Sequence, residues 1–257
     1  MSEITPKLTL IGAGPGDPEL ITLKGINALK SADVVLYDAL ADESLLEYCQ
    51  TDVKKIFVGK KPGEHVYQQD KINEMIVDHA KEFGHVVRLK GGDPYVFGRG
   101  HEELEIAEEY GILVELVPGV TSAISVPALN QIPLTRRGIN DSFWVMTAVR
   151  SDGELSQDIG LAAQSKATSV ILMGVKRLPK ILELYKSHGK SETPAAVIQN
   201  GSKPNQKMVI GMVSNLNELV EKEGIGSPAI IVIGETVALG KEKLEKKIGK
   251  LDLDANA

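Results

Sequence analysis

LIGAGPGDPELITL, residues Leu10 to Leu23, is the stretch on which the fold turns. A short apolar run, Leu8 to Ile11, meets glycines at 12, 14 and 16, as a strand meets a phosphate-binding turn before a helix. The register is wrong for a dinucleotide. Counted from Gly12, the G-x-G-x-x-G pattern asks for glycine at position 17, where this chain has Asp17, an anion that would repel a diphosphate. Pro15 removes a backbone N–H from the place where a pyrophosphate would be cradled. Three readings remain: a dinucleotide loop, a bare strand-to-helix turn, and a loop for a nucleoside without phosphates. The residues favour the last, because glycines let the backbone approach a ligand while prolines hold a rigid wall. S-adenosylmethionine is a ligand of that kind.

Outward from this loop, the first half alternates strand-like runs with helical patterns. The runs are Lys7–Ile11, Val34–Tyr37, Lys55–Val58, Val86–Leu89 and Leu113–Leu116. Between them Ile72, Met75, Ile76, Ala80 and Phe83 recur at helical spacing, and Gly84 follows as a stop. Short strands separated by helices predict a parallel sheet buried on both faces. The second half has strand-like runs at Phe143–Thr147, Ser169–Met173, Ala195–Ile198, Met208–Met212 and Ala229–Ile233. Only the polar loop Gln199 to Lys207 separates the third from the fourth. No crossover helix fits there, so that pair is expected to be antiparallel and the second sheet mixed. The α/β reading is therefore two domains, residues 1–118 and 119–240, with the proline- and glycine-bearing stretch 118–138 at the junction and a charged tail at 241–257.

Composition narrows the function. The chain has 257 residues, and its formal net charge of −6 argues against binding a nucleic-acid backbone. No apolar run approaches membrane-spanning length and no signal-peptide pattern opens the chain, so a cytoplasmic protein without membrane partners is expected. The one cysteine, Cys49, shares an expected helical face with Leu45 and Leu46 and reads as a buried, inert thiol. His65, His79, His85, His101 and His188 are scattered, and no metal site is expected. In KGGDP, two glycines after a buried strand let the backbone lie against a ligand, and Asp93 can accept from a ribose or pair with a cationic group. Asp38, directly after the second strand, could serve either a dinucleotide or a methyl donor; a turn-forming role for it and for Lys60 is also open.

GAGPGDPELITLKG, ADVVLYD, VGKKPGEH, VVRLKGGDPYVFGRGHEE, VPGVTSA, IPLT, LMGV, QNG and GSPAIIVIGE stand in an order that resembles the uroporphyrinogen-III C-methyltransferases, a branch of the class III tetrapyrrole methylases. The resemblance runs from about residue 8 to residue 239. It implies two α/β domains with the active site in the cleft between them, a homodimer, and methylation of uroporphyrinogen III at C2 and C7 by S-adenosylmethionine. The product would be precorrin-2, through precorrin-1, for sirohaem or cobalamin. Carried over position by position, it implies that Pro15, Gly91, Gly92, Asp93, Val96, Thr121, Ser122, Met173 and Gly201 contact the methyl donor. Asp38 would be the proton acceptor, Lys60 a donor or substrate-binding group, and Arg99 a substrate-binding cation. Such a reaction needs no metal, because the sulfonium methyl is already electrophilic and catalysis rests on alignment and proton removal.

A polycarboxylate substrate requires positive charge gathered locally on an acidic chain. Lys60, Lys61, Arg99, Arg136, Arg137, Arg150, Lys176 and Arg177 are the candidates. Three stretches depart from the pattern resembled: His101 in GRGHEE for a glycine, Arg136 in IPLTRR for a histidine, and Ala148-Val149-Arg150 for Thr-Gly-His. Another precorrin C-methyltransferase is the alternative within this fold, and a nucleotide-binding redox or sensor protein the alternative outside it.

Overall fold

The first five strands pair into one parallel sheet whose inner three strands are buried on both faces, while the two edge strands are partly exposed. The computed structural model describes residues 4–59 and 68–240, so Lys60, Lys61, His65 and the tail from Lys241 lie outside the described residues. The strands are β1 (Lys7–Gly12), β2 (Val34–Tyr37), β3 (Lys54–Phe57), β4 (His85–Lys90) and β5 (Leu113–Val117), in the order β3-β2-β4-β1-β5. Helices α1 (Leu23–Lys30), α2 (Gln69–Phe83) and α3 (Gly100–Glu109) cover them. Leu8, Leu10, Leu36 and Val86 face Ile72, Ile76 and Ala80 of α2 and Leu104 and Ala107 of α3. Ile11, Val35, Val87 and Leu89, their neighbours along the strands, pack with Leu29 of α1 and with Leu45 and Leu46 on the opposite face. Thr22 starts α1 by accepting from the Gly25 N–H at 3.1 Å, and Gly84, at φ 109°, ends α2.

Phe83 differs from expectation. It is 38 % exposed, with the Lys54 ammonium 4.9 Å from its ring centre, while Val77 takes the buried place. Cys49 requires a correction. Glu43–Tyr48 is a 3-10 helix, and Cys49 is its C-terminal cap, half-buried against the same cluster as Leu45 and Leu46. Partial burial still pushes its thiol pKa up, which keeps it inert.

Contacts divide the chain between Thr121 and Ser122. The second unit has β6 (Phe143–Thr147), β7 (Thr168–Leu172), β8 (Pro194–Gln199), β9 (Lys207–Met212) and β10 (Ala229–Ile233), with helices α4 (Ser122–Leu129), α5 (Asp158–Gln164), α6 (Leu178–Ser187) and α7 (Leu216–Lys222). The sheet order is β6-β7-β10-β8-β9, with β6 and β7 parallel and the other three pairs antiparallel. It is mixed for the reason read from sequence: Asn200 to Gln206 is too short to cross over, so β8 and β9 form a hairpin. The stretch expected to be a junction of turns contains α4, whose Pro127 sits inside the helix while Ala123 and Val126 join the core. Among the described residues no helix is long and apolar enough to cross a membrane.

Candidate active site

All five strands of the first sheet run the same way, so the loops that follow them emerge along one edge, where open α/β sheets bind ligands. Three of these loops meet backbone to backbone. Gly92 N–H donates to Gly14 at 2.7 Å, and Gly14 N–H returns to Gly92 at 3.3 Å, a two-residue bridge that joins GAGPGD to GGD. A Cβ on Gly12 would stand 2.5 Å from the Gly119 nitrogen and 2.6 Å from the Gly92 oxygen, and one on Gly119 would overlap Gly92 and Gly12 in turn. Only glycine lets the three strand ends approach this closely. Asp93 fastens the same junction, its two carboxylate oxygens accepting from the Gly119 N–H at 3.0 Å and the Tyr95 N–H at 2.9 Å. The loop after β2 closes against it, since a Cβ on Gly91 would overlap Leu40.

Gly92 is different from its neighbours. At φ 68° it has no atom within 4 Å of where a Cβ would be. Its bare α-carbon therefore faces open space beside Asp93. Pro15 stands half-buried in the loop bridged to it, and Val96 is half-buried in the turn that Asp93 starts, its N–H donating to the Asp93 carbonyl at 3.2 Å. Asp17 accepts from the Glu19 N–H at 2.9 Å and so caps the 3-10 turn Pro18–Leu20, with a carboxylate where a dinucleotide loop would present donors to phosphate.

Asp38 follows β2 at the same edge. One oxygen accepts from the Leu40 N–H at 3.0 Å, and the other lies 3.5 Å from an Arg88 nitrogen. Arg88 and Lys90 of β4 are buried, and both contact Glu103 of α3. The sequence reasoning passed over these three residues. The signal was in VVRLK: two cations at alternate positions of a strand buried on both faces must find partners. Arg99 begins α3 in a left-handed conformation, φ 58°, as does nearby Phe97 at φ 56°. It is exposed and grips Glu102 with a fork, Nε to Oε1 at 2.9 Å and Nη2 to Oε2 at 2.5 Å, which raises the Arg99 pKa and lowers that of Glu102.

In the second unit β7 and β8 run the same way, so Met173 and Gly201 follow strands at one edge. Met173 is left-handed, φ 57°, and 57 % exposed. It lines a cavity of about 550 Å³ with Val149, Lys176, Arg177 and Pro228. Gly201 lies against Val126 of α4, where a Cβ would overlap the valine, and Ser122 is the first residue of that helix. Thr121, half-buried, ends the first unit just before it. Lys60 lies outside the described residues.

The positions that depart from the resembled pattern have physical accounts. His101 is 70 % exposed, 3.2 Å from Glu105, so a side chain there displaces nothing. Arg136 and Arg137 are exposed, and Arg150 pairs with Asp152 at 2.7 Å. Ala148 is wholly buried where the pattern has a threonine, and Val149 lines the cavity where it has a glycine. No cluster of three or more His, Cys, Asp or Glu suited to a metal occurs among the described residues.

Known proteins share this arrangement over nearly the whole chain. It is 44 % identical over 236 residues to the uroporphyrinogen-III C-methyltransferase of Methanocaldococcus jannaschii, covering 91 % of this chain and 98 % of that one. It is 46 % identical to the siroheme synthase of Actinobacillus pleuropneumoniae, covering 92 % of this chain and 48 % of that relative, about half its length. The crystal structure of the uroporphyrin-III C-methyltransferase from Thermus thermophilus, complexed with S-adenosylhomocysteine, superposes with a TM-score of 0.77 at 38 % identity, covering 91 % of this chain and 99 % of that one. The model of the Tetrapyrrole (Corrin/Porphyrin) Methylases matches residues 7–217, from β1 into α7, and this chain belongs to that family.

Proposed function

We propose that this chain is an S-adenosylmethionine-dependent methyltransferase that methylates uroporphyrinogen III at C2 and C7, giving precorrin-2 through precorrin-1. The observation that carries the reading is the sheet edge where the GAGPGD and GGD loops join and Asp38 follows β2, with the α-carbon of Gly92 open beside Asp93. It is supported by relatives of that activity matched over almost their full length. When bound, S-adenosylmethionine supplies an electrophilic methyl group for a nucleophilic pyrrole carbon. Pro15, Gly91, Gly92, Asp93, Val96, Thr121, Ser122, Met173 and Gly201 are assigned to the nucleoside and methionine portions. Asp38, held at both oxygens, accepts the proton released as the ring system rearranges, and its fixed orientation avoids reorganisation during the step. Lys60 donates a proton or binds substrate. Arg99 exchanges Glu102 for a substrate carboxylate, which the same fork accommodates. The same reading makes the protein a cytoplasmic homodimer that feeds sirohaem or cobalamin formation.

The nucleotide-binding redox alternative is disfavoured by Asp17, which fills the turn's donors with its own carboxylate. The deciding experiment is anaerobic incubation with uroporphyrinogen III and S-adenosylmethionine, followed by mass spectrometry. Addition of two methyl groups is expected. No mass gain, together with calorimetric binding of NAD and none of S-adenosylhomocysteine, would sink the reading.

A further inference from the structure

Arg88 and Lys90 lie two residues apart on β4, so their side chains leave the same face of a sheet covered on both sides, where they are 4 % and 7 % exposed. Such charges persist only with a counter-charge. Glu103, wholly buried on α3, provides it: Oε1 accepts from Lys90 Nζ at 2.9 Å, Gln69 Nε2 at 3.1 Å and Arg88 Nε at 3.3 Å. Its other oxygen, Oε2, is buried with no hydrogen-bond partner among the described residues. Three donors crowd one oxygen while the second has none among the described residues, so maximal hydrogen bonding of this carboxylate there does not explain its placement.

The geometry of Arg88 does. Glu103 takes its Nε, and the carbonyls of Leu36 and Leu89 take Nη1 at 3.4 and 3.1 Å. With one edge and one corner of the planar fork fixed, Nη2 is aimed at Asp38 Oδ2, 3.5 Å away. Asp38 Oδ1 is meanwhile fixed by the Leu40 N–H. Lys90, whose pKa burial and the adjacent Arg88 push down, binds the same oxygen of Glu103, so the charges alternate from Lys90 through Glu103 and Arg88 to Asp38.

We propose that Glu103 is a positioning residue that acts through Arg88 to set the orientation of the Asp38 carboxylate for proton removal. The proposal rests on the reading of Asp38 as proton acceptor. The test is a double-mutant cycle on the full chain, following anaerobic methylation of uroporphyrinogen III, with calorimetric affinity for S-adenosylhomocysteine and a melting curve for each variant. Glu103→Gln is expected to lower kcat about tenfold, the size of coupling usual within one charged network. S-adenosylhomocysteine affinity should stay within about twofold, since none of Glu103's hydrogen-bond partners is a residue assigned to the methyl donor. In an Asp38→Asn background the same substitution should cost nothing more, and Arg88→Lys, which keeps the charge and loses the fork, should reproduce the loss. A folded Glu103→Gln with unchanged kcat overturns the proposal, as does an equal loss in both backgrounds, which is what a purely structural role gives. Should Glu103→Gln not fold, Arg88→Lys completes the same cycle and is judged by the same outcomes. Full activity in Asp38→Asn alone would instead break the reading of Asp38, and the proposal with it.

Discussion

β4 and β10 are both interior strands with covered faces, yet they bury different chemistry. β10, AIIVI, is apolar throughout and lies between β7 and β8. β4, HVVRLK, lies between β2 and β1 and carries two cations into the interior just before the GGD loop. Among the described residues the second unit's buried polar side chains are uncharged, and several pair with one another: Tyr185 donates to Ser169 Oγ at 2.7 Å, and Asn140 to Thr168 Oγ1 at 3.1 Å. Neutral pairs of this kind hold elements together at modest desolvation cost, whereas buried ions demand a compensating network. The difference teaches where the molecule concentrates charge: at the edge of the parallel sheet, where every strand ends on the same side.

The contrast can be broken at the glycine junction first. Gly119→Ala forces a Cβ into the backbone of Gly92 and Gly12, and should cost about 3 kcal/mol of stability, read as a lowered denaturation midpoint. A wild-type midpoint would mean that the three strand ends are not packed as described. Gly92→Ala meets no neighbour and only the penalty of its positive φ, about 1 kcal/mol, but places a methyl on the open face. We expect S-adenosylhomocysteine affinity to fall at least about tenfold, well beyond the stability loss, when calorimetry and melting are compared. Equal small effects on both would show that the open face is not the nucleoside surface.

The smallest effect tests the neutral interior of the second unit. Burial pushes the Tyr185 phenol up to about 12 from its ordinary 10, despite the Ser169 hydroxyl, which lowers it. A raised folded pKa contributes stability in full below pH 10 that is lost as pH climbs through about 12. Tyr185→Phe should cost about 1 kcal/mol near neutrality and flatten that alkaline limb in denaturation measured against pH. An unchanged alkaline limb would assign it to other groups.

Much of the fold was legible. All ten strands fall within a residue or so of the segments read from β-branched runs, because such runs between turn residues have no other stable use. The hairpin was legible too, since chain length between Gln199 and Lys207 forbids a crossover. Cys49 came out half-buried rather than buried because the helix Glu43–Tyr48 ends just before it, a boundary that apolar spacing does not fix. The Arg88, Lys90 and Glu103 network escaped for another reason: its members come from β4 and α3, and VVRLK by itself names no partner.

By itself, then, the sequence determined the ten strands, their order along the chain and the misfit of GAGPGD with a diphosphate, all of which depend on local sterics and register. Tertiary structure decided the rest. Only the order β3-β2-β4-β1-β5 sets Gly12, Gly92 and Gly119 against one another and Arg88 between Glu103 and Asp38. Those contacts join residues distant along the chain, and packing energies and ion pairs depend on distance in space.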